Sequence, residues 1–248
     1  MLKGKVILVT GASKGIGAET ARVLARHGAT VVINYNTDAA GAKKVLKDVV
    51  RYAPRSKAIR ADVAKKGDVD TMMKKIIAGL GRIDGVVNNA SGPLSFKPLS
   101  DLARSDFTKH IDVILIGAFN VIRCALPHML RSKEGKIVNI LSSVTLGAPP
   151  SKPLDYIAAK FALLGFSKAL AADLGPSGIT VNCVSPGMAE TDMSAVFPAK
   201  MKEMVAYQTP LKRLARPADV AGVVAFLCSD ASDYITGANI PVCGGSVM

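Results

Sequence analysis

The stretch Lys5–Gly17, KVILVTGASKGIG, decides the fold of this chain. Its first six residues form a continuous apolar, β-branched run, as expected for a strand buried on both faces of a parallel sheet. A loop with three glycines follows, and then AETARVLARHG, whose spacing predicts a helix that Gly28 ends. This order suits a diphosphate, because glycines permit close backbone approach and a helix N-terminus offers free N–H groups. The GxxxGxG spacing alone is weak evidence, since a tight turn without a ligand shares it.

Apolar strand-like runs and helical spacing alternate along the rest of the chain. We predict strands at about 5–10, 30–34, 57–61, 83–90, 136–143, 178–187 and 239–242, and helices at about 18–28, 39–52, 66–80, 104–131, 155–174 and 217–229. The alternation predicts an α/β fold: one Rossmann-type, doubly wound domain over residues 1–248, with a seven-stranded parallel sheet flanked by helices. Residues 188–210, rich in Met, Ala and Phe, are predicted to form a mobile cover over a pocket.

Composition narrows the class of protein. The apolar fraction of 49% is ample for a large core, and the charged fraction of 21% excludes a disordered chain. The net charge is +13, but the basic residues are scattered, without the aromatic platforms of a nucleic-acid-binding module. A ligand or partner with negative charge fits this balance, and so does a merely basic surface.

Cellular location and metal binding are constrained by what the sequence lacks. The N-terminus has no signal-peptide pattern, and we expect no apolar run to span a bilayer. The four cysteines are far apart, which predicts reduced thiols in the cytoplasm and no metal site. The three histidines, His27, His110 and His128, have no ligand spacing, so we assign them no chemistry.

The stretch Ser142–Lys160, SSVTLGAPPSKPLDYIAAK, contains the candidate catalytic residues. Tyr156 and Lys160 are four residues apart in a predicted helix, so the phenol and the ammonium share one helix face. Ser143 ends a strand-like run, which would deliver its hydroxyl to the edge of the sheet. A phenol has a pKa of about 10, and an ammonium about 4 Å away would lower it by about three units. An ordinary solvated helix face has the same spacing, so the pair needs support from the other motifs.

The second strand carries a signal about the dinucleotide. In such sheets a carboxylate at the end of this strand holds the ribose 2′-hydroxyl of NAD. Here Asn34 ends the strand, and no carboxylate comes before Asp38. Lys14 lies in the glycine loop, where an ammonium would attract a 2′-phosphate. The residues therefore favour NADPH/NADP+, although Lys14 could instead be simply solvated.

Taken together, these motifs resemble those of the short-chain dehydrogenase/reductase family over essentially the whole chain. The matching motifs are TGASKGIG (Thr10–Gly17), Asp62-Val63, NNASG (Asn88–Gly92), Ser143, Tyr156-x-x-x-Lys160 and PGMAET (Pro186–Thr191). Each is common, but their order and spacing together are specific. Within the family, the chain is most similar to the 3-oxoacyl-[acyl-carrier-protein] reductases.

The resemblance implies roles for individual residues. Tyr156 would protonate the carbonyl oxygen as hydride arrives from NADPH, Ser143 would hydrogen-bond that oxygen, and Lys160 would lower the pKa of Tyr156 and hold the nicotinamide ribose. Ser142 would be structural. The remaining cofactor contacts would come from the glycine loop (Gly11, Ser13, Lys14, Gly15, Ile16, Gly17), Asn34, Asp62 and Val63 at the adenine, Asn89, and Pro186, Gly187 and Thr191 at the nicotinamide end.

The chain departs from the family pattern at two positions. Ile114 occupies the place of an asparagine that, in the family, anchors a water chain to the catalytic lysine; Asn120 lies on another helix face and does not replace it. Ser91 is an additional residue in NNASG, where the commonest family form passes directly from alanine to glycine. The first departure bears on the relay of protons to the catalytic lysine, and the second bears on the class of substrate.

The leading hypothesis is NADPH-dependent reduction of a ketone to a secondary alcohol. The substrate would be a 3-oxoacyl thioester on CoA or on an acidic acyl carrier protein, because cations including Arg123, Arg131, Lys133 and Lys136 are expected near the substrate side. Alternatives are reduction of a C=C bond in an enoyl thioester, reduction of a small carbonyl compound, and a non-catalytic NADP-binding module. By resemblance, helices 104–131 and 155–174 would pair with those of other copies in a homodimer or homotetramer.

Overall fold

The computed structural model describes residues 1–247 and contains one seven-stranded parallel sheet in the order β3-β2-β1-β4-β5-β6-β7. The strands are β1 Val6–Val9, β2 Thr30–Tyr35, β3 Lys57–Arg60, β4 Gly85–Asn88, β5 Gly135–Ile140, β6 Ile179–Pro186 and β7 Asn239–Val242. The order reverses between β1 and β4, where ligands bind in such sheets. The predicted fold class is confirmed.

Helices cover both faces of the sheet. They are α1 Gly15–Arg26, α2 Ala39–Val49, α3 Lys66–Leu80, α4 Arg104–His110, α5 Gly117–Ser132, α6 Leu154–Leu174, α7 Ala199–Gln208 and α8 Pro217–Leu227. Successive side chains of β1 point to opposite faces. Ile7 and Val9 pack with α1, α2 and α8, whereas Val6 and Leu8 pack with α3, α5 and α6. The continuous apolar run in the sequence therefore reflects a strand buried on both sides.

The long helical run Arg104–Ser132 contains a feature that the sequence pattern does not predict. Between α4 and α5, residues Ile111–Ile116 form a π-helical segment, and such segments are frequent at functional sites. Within residues 1–247, this run is also long and apolar enough to cross a bilayer, contrary to expectation. That criterion rests on length and composition only, and 44% of the run's most apolar window is buried inside the protein. Core helices meet the same criterion, and α5 packs against α3 and the sheet.

The segment predicted as a cover is largely helical. It contains a 3₁₀ turn, Ser194–Val196, followed by α7, and none of the α7 residues is buried. Phe197 joins the two elements and contacts Phe96 edge-on, with ring centroids 5.3 Å apart. The segment therefore lies across the loop that follows β4.

Candidate active site

A first cavity of about 440 Å³ lies at the carboxyl edge of β1, β2 and β4. Asn34 lines it together with residues of four predicted motifs: Gly11, Ser13, Lys14, Gly15, Ile16, Asp62, Val63, Asn89 and Thr191. The N-terminus of α1 faces this cavity, with no capping side chain and no acidic residue in its first turn. Its free N–H groups and positive dipole end are therefore available to an anion.

Close packing between two loops explains why two of the glycines are required. A Cβ atom on Gly11 would lie 2.8 Å from the Cα of Ala90, and one on Gly17 would lie 2.4 Å from Nδ2 of Asn89. That amide nitrogen donates to the carbonyl oxygens of Thr10 and Gly11, at 3.0 and 3.1 Å. Gly17 does not line the cavity, but its lack of a side chain makes room for the Asn89 amide that joins the two loops. The Asn89 side chain is likewise occupied in joining the two loops.

The end of β2 forms the far side of this cavity. The Asn34 amide donates to the carbonyl oxygen of Ala61 at 3.0 Å, and its oxygen accepts from the Gly11 N–H at 3.3 Å. The Asp38 carboxylate caps α2 by accepting from the Gly41 N–H at 2.9 Å. Lys14 forms an exposed ion pair with Asp192, at 3.2 Å. Because exposed pairs contribute little, this ammonium remains available to a ligand.

A second cavity of about 310 Å³ adjoins the first, and Ile16, Asn89, Ser91, Thr191 and Met193 line both. Its wall is mostly apolar and includes Leu94, Phe96, Leu141, Val144, Pro150, Pro153, Met188, Phe197 and Met201. The polar residues of its lining include Ser142, Ser143, Tyr156 and Lys160, and the predicted Pro186 and Gly187 also line it. The predicted catalytic groups therefore line the second cavity, which shares Ile16, Asn89 and Thr191 of the predicted cofactor-binding residues with the first.

Burial controls the acid–base properties of the Tyr156–Lys160 pair. The Lys160 ammonium donates to the carbonyl oxygen of Ile140 at 2.6 Å and lies 5.5 Å from the centroid of the Tyr156 ring. Burial lowers the pKa of Lys160 to about 7 and raises the pKa of Tyr156 to about 12. Loss of solvation is the largest effect on the pKa of both groups, and the lowering of the phenol pKa by Lys160 stays a prediction.

Two neighbouring serines, Ser142 and Ser143, line the cavity beside Tyr156. Ser142 acts against the effect of burial on the phenol pKa, and its hydroxyl accepts the Val144 N–H at 3.4 Å. Ser142 has extended backbone angles, so its side chain continues the alternation of β5, whereas Ser143 begins a 3₁₀ turn. The assignment of Ser143 as the catalytic serine stays a prediction, because both residues line the cavity.

The two departures from the family pattern both lie next to the site. Ile114 is buried, and the small cavity that it lines with Lys160 and Asn88 has no room for a water molecule. Asn120 is directed elsewhere, since its amide donates to the carbonyl oxygen of Val63 at 2.9 Å. Ser91 lines both larger cavities, so the additional residue in NNASG lies at their junction.

Sequence reasoning missed one buried pair at this site. His110 Nδ1 lies 2.9 Å from the carboxylate of Asp155, the residue directly before Tyr156, and both side chains are buried. The two residues are 45 positions apart, so no local spacing could indicate the contact. An aspartate next to the tyrosine, in an otherwise apolar helix start, is the only signal in the sequence.

A glycine loop and a free helix N-terminus at the switch point of a parallel sheet, next to a Tyr–Lys pair, define a dinucleotide-dependent oxidoreductase. Comparison with known proteins gives the family. A family model described as enoyl-(acyl carrier protein) reductase matches residues 11–246. The chain belongs to the short-chain dehydrogenase/reductase family.

Three similar proteins illustrate the range of the family. The 3-oxoacyl-[acyl-carrier-protein] reductase FabG of Staphylococcus epidermidis is 38% identical over 244 residues, which cover 98% of this chain and 99% of that protein. The (2S)-[(R)-hydroxy(phenyl)methyl]succinyl-CoA dehydrogenase subunit BbsD of Thauera aromatica is also 38% identical, covering 98% of this chain and 97% of its own. A crystal structure of 3-ketoacyl-(acyl-carrier-protein) reductase from Brucella melitensis complexed with NADH has a TM-score of 0.91 and 32% identity, covering 100% of both chains.

Proposed function

We propose that this protein uses NADPH to reduce a ketone to a secondary alcohol, with a 3-oxoacyl thioester as the substrate. The observation that carries the proposal is that the cavity lined by Tyr156 adjoins the cavity lined by the glycine loop. The first cavity offers backbone N–H groups and Lys14 to a dinucleotide, and the second offers an apolar space to a substrate. A substrate carbonyl in the second cavity would lie beside the phenol.

The residues around the first cavity fit NADPH. The free N-terminus of α1 suits the diphosphate. No carboxylate lies at the end of β2 before Asp38, which uses one carboxylate oxygen to cap α2. Two cations lie near this end: Lys14, and Arg60, whose guanidinium donates to the carbonyl oxygen of Asn36 at 3.1 Å. They would attract a 2′-phosphate. The similar structure from Brucella melitensis holds NADH, so the choice between the two cofactors needs a direct measurement.

The residues around the junction fit proton donation to a carbonyl oxygen. When bound, the cofactor supplies the hydride. Tyr156 holds its proton throughout the neutral range, because burial raises its pKa to about 12. The Ser143 hydroxyl, which lines the same cavity, would hydrogen-bond the carbonyl oxygen, and charged Lys160 would stabilise the phenolate that remains after the proton leaves. Both groups interact most strongly with the negative charge that develops on these oxygens in the transition state. They would therefore lower the activation barrier.

The second cavity supports an acyl substrate. Its wall is apolar, and the relatives are named for acyl-carrier-protein and CoA thioesters. The net charge of +13 agrees with an acidic carrier or with phosphates on CoA. One expected cation does not contribute, since Lys136 is buried and forms an ion pair of 2.6 Å with Asp233. Because the thiols are free, we infer that the reaction takes place in the cytoplasm.

The proposed assembly is a homodimer or homotetramer through the long helices. Large apolar side chains remain exposed on the run 104–132 and on α6: Phe107, Ile116, Phe119, Leu130 and Phe161. Such a surface is typical of an interface between copies. Light scattering at micromolar concentration should give a dimer or tetramer, and a monomer would contradict this part of the proposal.

The test is NADPH oxidation with acetoacetyl-CoA, followed at 340 nm. We expect turnover by the wild-type protein, and a loss of at least about 100-fold in Tyr156→Phe, because general acid catalysis contributes about that much. NADPH binding should persist in the variant. Turnover of small ketones without any turnover of thioesters would exclude the proposed substrate, and near-normal activity of the variant would exclude the role of Tyr156.

Reduction of a C=C bond is the second candidate, because the matching family model is described as an enoyl-(acyl carrier protein) reductase. Product analysis with a crotonyl thioester separates the two reactions. A saturated butyryl product would favour the second candidate, and an unchanged crotonyl thioester, alongside reduction of acetoacetyl-CoA, would favour the first.

A further inference from the structure

We propose that His110 and Asp155 form a positioning pair that fixes the phenol of Tyr156 for proton transfer. The inference rests on the proposed role of Tyr156 and adds two residues to the site. His110 is the last residue of α4, and Asp155 is the second residue of α6. The pair therefore connects α6, which carries the candidate acid Tyr156, to α4.

The geometry of the pair is specific. One carboxylate oxygen of Asp155 lies 2.9 Å from His110 Nδ1, and the other accepts the backbone N–H of Tyr156 at 2.9 Å. The His110 ring also meets the Tyr156 ring edge-on, with centroids 5.7 Å apart and an interplanar angle of 78°. The pair thus holds Tyr156 both at its backbone and at its ring.

The start of α6 has few other restraints. The residue before the helix is Pro153, which provides no side-chain cap, so the first N–H groups lack the usual hydroxyl or carboxylate partner at that position. The Asp155 carboxylate supplies a partner to the Tyr156 N–H and suits the positive end of the helix dipole. His110 then anchors that carboxylate to α4. The π-helical segment begins at the next residue and contains Ile114, which lines the small cavity beside Lys160.

The protonation state follows from the contacts. Because Nδ1 faces a carboxylate, it carries a proton and donates it. Within residues 1–247, His110 Nε2 is buried and has no hydrogen-bond partner. It faces Gly92, where an added Cβ would lie 3.6 Å away. The carboxylate contact therefore identifies Nδ1 as the nitrogen that donates to Asp155.

A contact that served only for packing would not require a buried histidine hydrogen-bonded to a carboxylate. Two apolar residues could fill the same space without burying a carboxylate and an unpartnered ring nitrogen, both of which cost stability. A local conflict of this kind next to a catalytic group is typical of a site where function constrains the sequence. What the pair supplies, and apolar packing would not, is a directional restraint on the first turn of α6.

The experiment compares His110→Phe with His110→Asn. Phenylalanine keeps a ring against Tyr156 but removes the donor to Asp155, whereas the asparagine amide can replace Nδ1–H as the donor. In NADPH oxidation with acetoacetyl-CoA, we expect kcat of His110→Phe to fall about 10- to 100-fold, as expected for a misdirected catalytic group. The Kd for NADPH should be unchanged, and His110→Asn should keep kcat within about 3-fold of wild type.

Each alternative result overturns the inference. Wild-type kcat in His110→Phe would show that the hydrogen bond does not position the phenol, and equal damage in both variants would show that only ring packing matters. Should His110→Phe fail to fold, Asp155→Asn provides the test, because its amide still accepts the Tyr156 N–H but no longer accepts from Nδ1. We expect about a 10-fold loss of kcat there, and unchanged kcat would refute the pair.

The same assay separates this inference from the proposed function. Tyr156→Phe must abolish turnover if the phenol is the acid. If that variant remained active, the proposed function would fail. If it were inactive while all His110 and Asp155 variants kept normal kcat, only the positioning pair would fail.

Discussion

The two adjoining cavities are built in different ways. The first is formed by the backbone of the glycine loop, the N-terminus of α1 and the ends of parallel strands. The second is formed by side chains from distant segments, among them Leu94, Leu141, Pro153 and Met201. Backbone groups recognise an anion with little dependence on sequence, whereas side chains set the shape of an apolar space.

This difference explains which properties can be transferred from relatives. A dinucleotide site made of backbone N–H groups needs only glycines and a helix start, so a short motif identifies it. The apolar cavity depends on volumes contributed by residues far apart in sequence. Under the proposed function, substrate choice is a property of the second cavity, and variants should affect the two cavities separately.

The largest separation should come from the two neighbouring serines of the second cavity. Ser143→Ala should lower kcat about 100-fold, because loss of one hydrogen-bond donor to a developing oxyanion costs about that much. Ser142→Ala is the matched control and should stay within about 3-fold of wild type. Steady-state kinetics with acetoacetyl-CoA measures both. The reverse order would move the role to Ser142 and contradict the assignment made from the sequence.

A smaller effect should appear in the first cavity. Lys14→Ala should raise the KM for NADPH about 10-fold and leave the KM for NADH nearly unchanged, because only the 2′-phosphate needs the cation. Lys43→Ala, on the exposed surface of α2, provides the control and should change neither value. Equal losses with both cofactors would mean that Lys14 serves the diphosphate, and no loss would mean that it is simply solvated.

The second cavity should respond to removal of its aromatic cover. Phe197→Ala should raise the KM for thioesters with long acyl chains several-fold, since it removes apolar contact area, while the KM for NADPH stays unchanged. Tyr207→Ala, on exposed α7 outside the cavity lining, is the matched control. A change in the KM for NADPH would show that the cavities are not independent.

The smallest expected effect concerns the contribution of the buried Lys160 ammonium to folding stability. The pKa of Lys160 falls from 10.5 to about 7 on folding, so below pH 7 its buried charge opposes folding fully. Between about pH 7 and 10.5 the unfolded chain binds more protons than the folded one, so this contribution to stability rises with pH. Lys160→Met should therefore raise the Tm of the cofactor-free protein by about 2–4 °C at pH 6, or about 1 kcal/mol.

Differential scanning calorimetry at pH 6 and pH 9 measures this effect. The gain from Lys160→Met should shrink at pH 9, and turnover should be lost at both values. A variant less stable than wild type at pH 6 would contradict the assigned cost of the buried ammonium.

Local patterns in the sequence predict most of the fold and the cofactor half of the site. The run Lys5–Thr10 predicts β1, and the glycines after it predict the loop that lines the first cavity. The spacing of Tyr156 and Lys160 predicts that they share a helix face, and both line the second cavity. Each of these features depends on residues that are close together in the chain, so local sequence patterns are sufficient to predict it.

Properties that depend on contacts between distant segments could not be predicted in this way. The directions of the Ser142 and Ser143 side chains depend on where β5 ends, and the pKa values of Tyr156 and Lys160 depend on burial by several elements. The pairing of His110 with Asp155 joins helices that are far apart in the chain. The sequence by itself determined the sheet, the glycine loop and the set of reactive groups, because each follows from residues that are close in the chain. Only the tertiary structure decided which of those groups touch and how they ionise, because solvation and hydrogen bonding depend on neighbours that folding brings together.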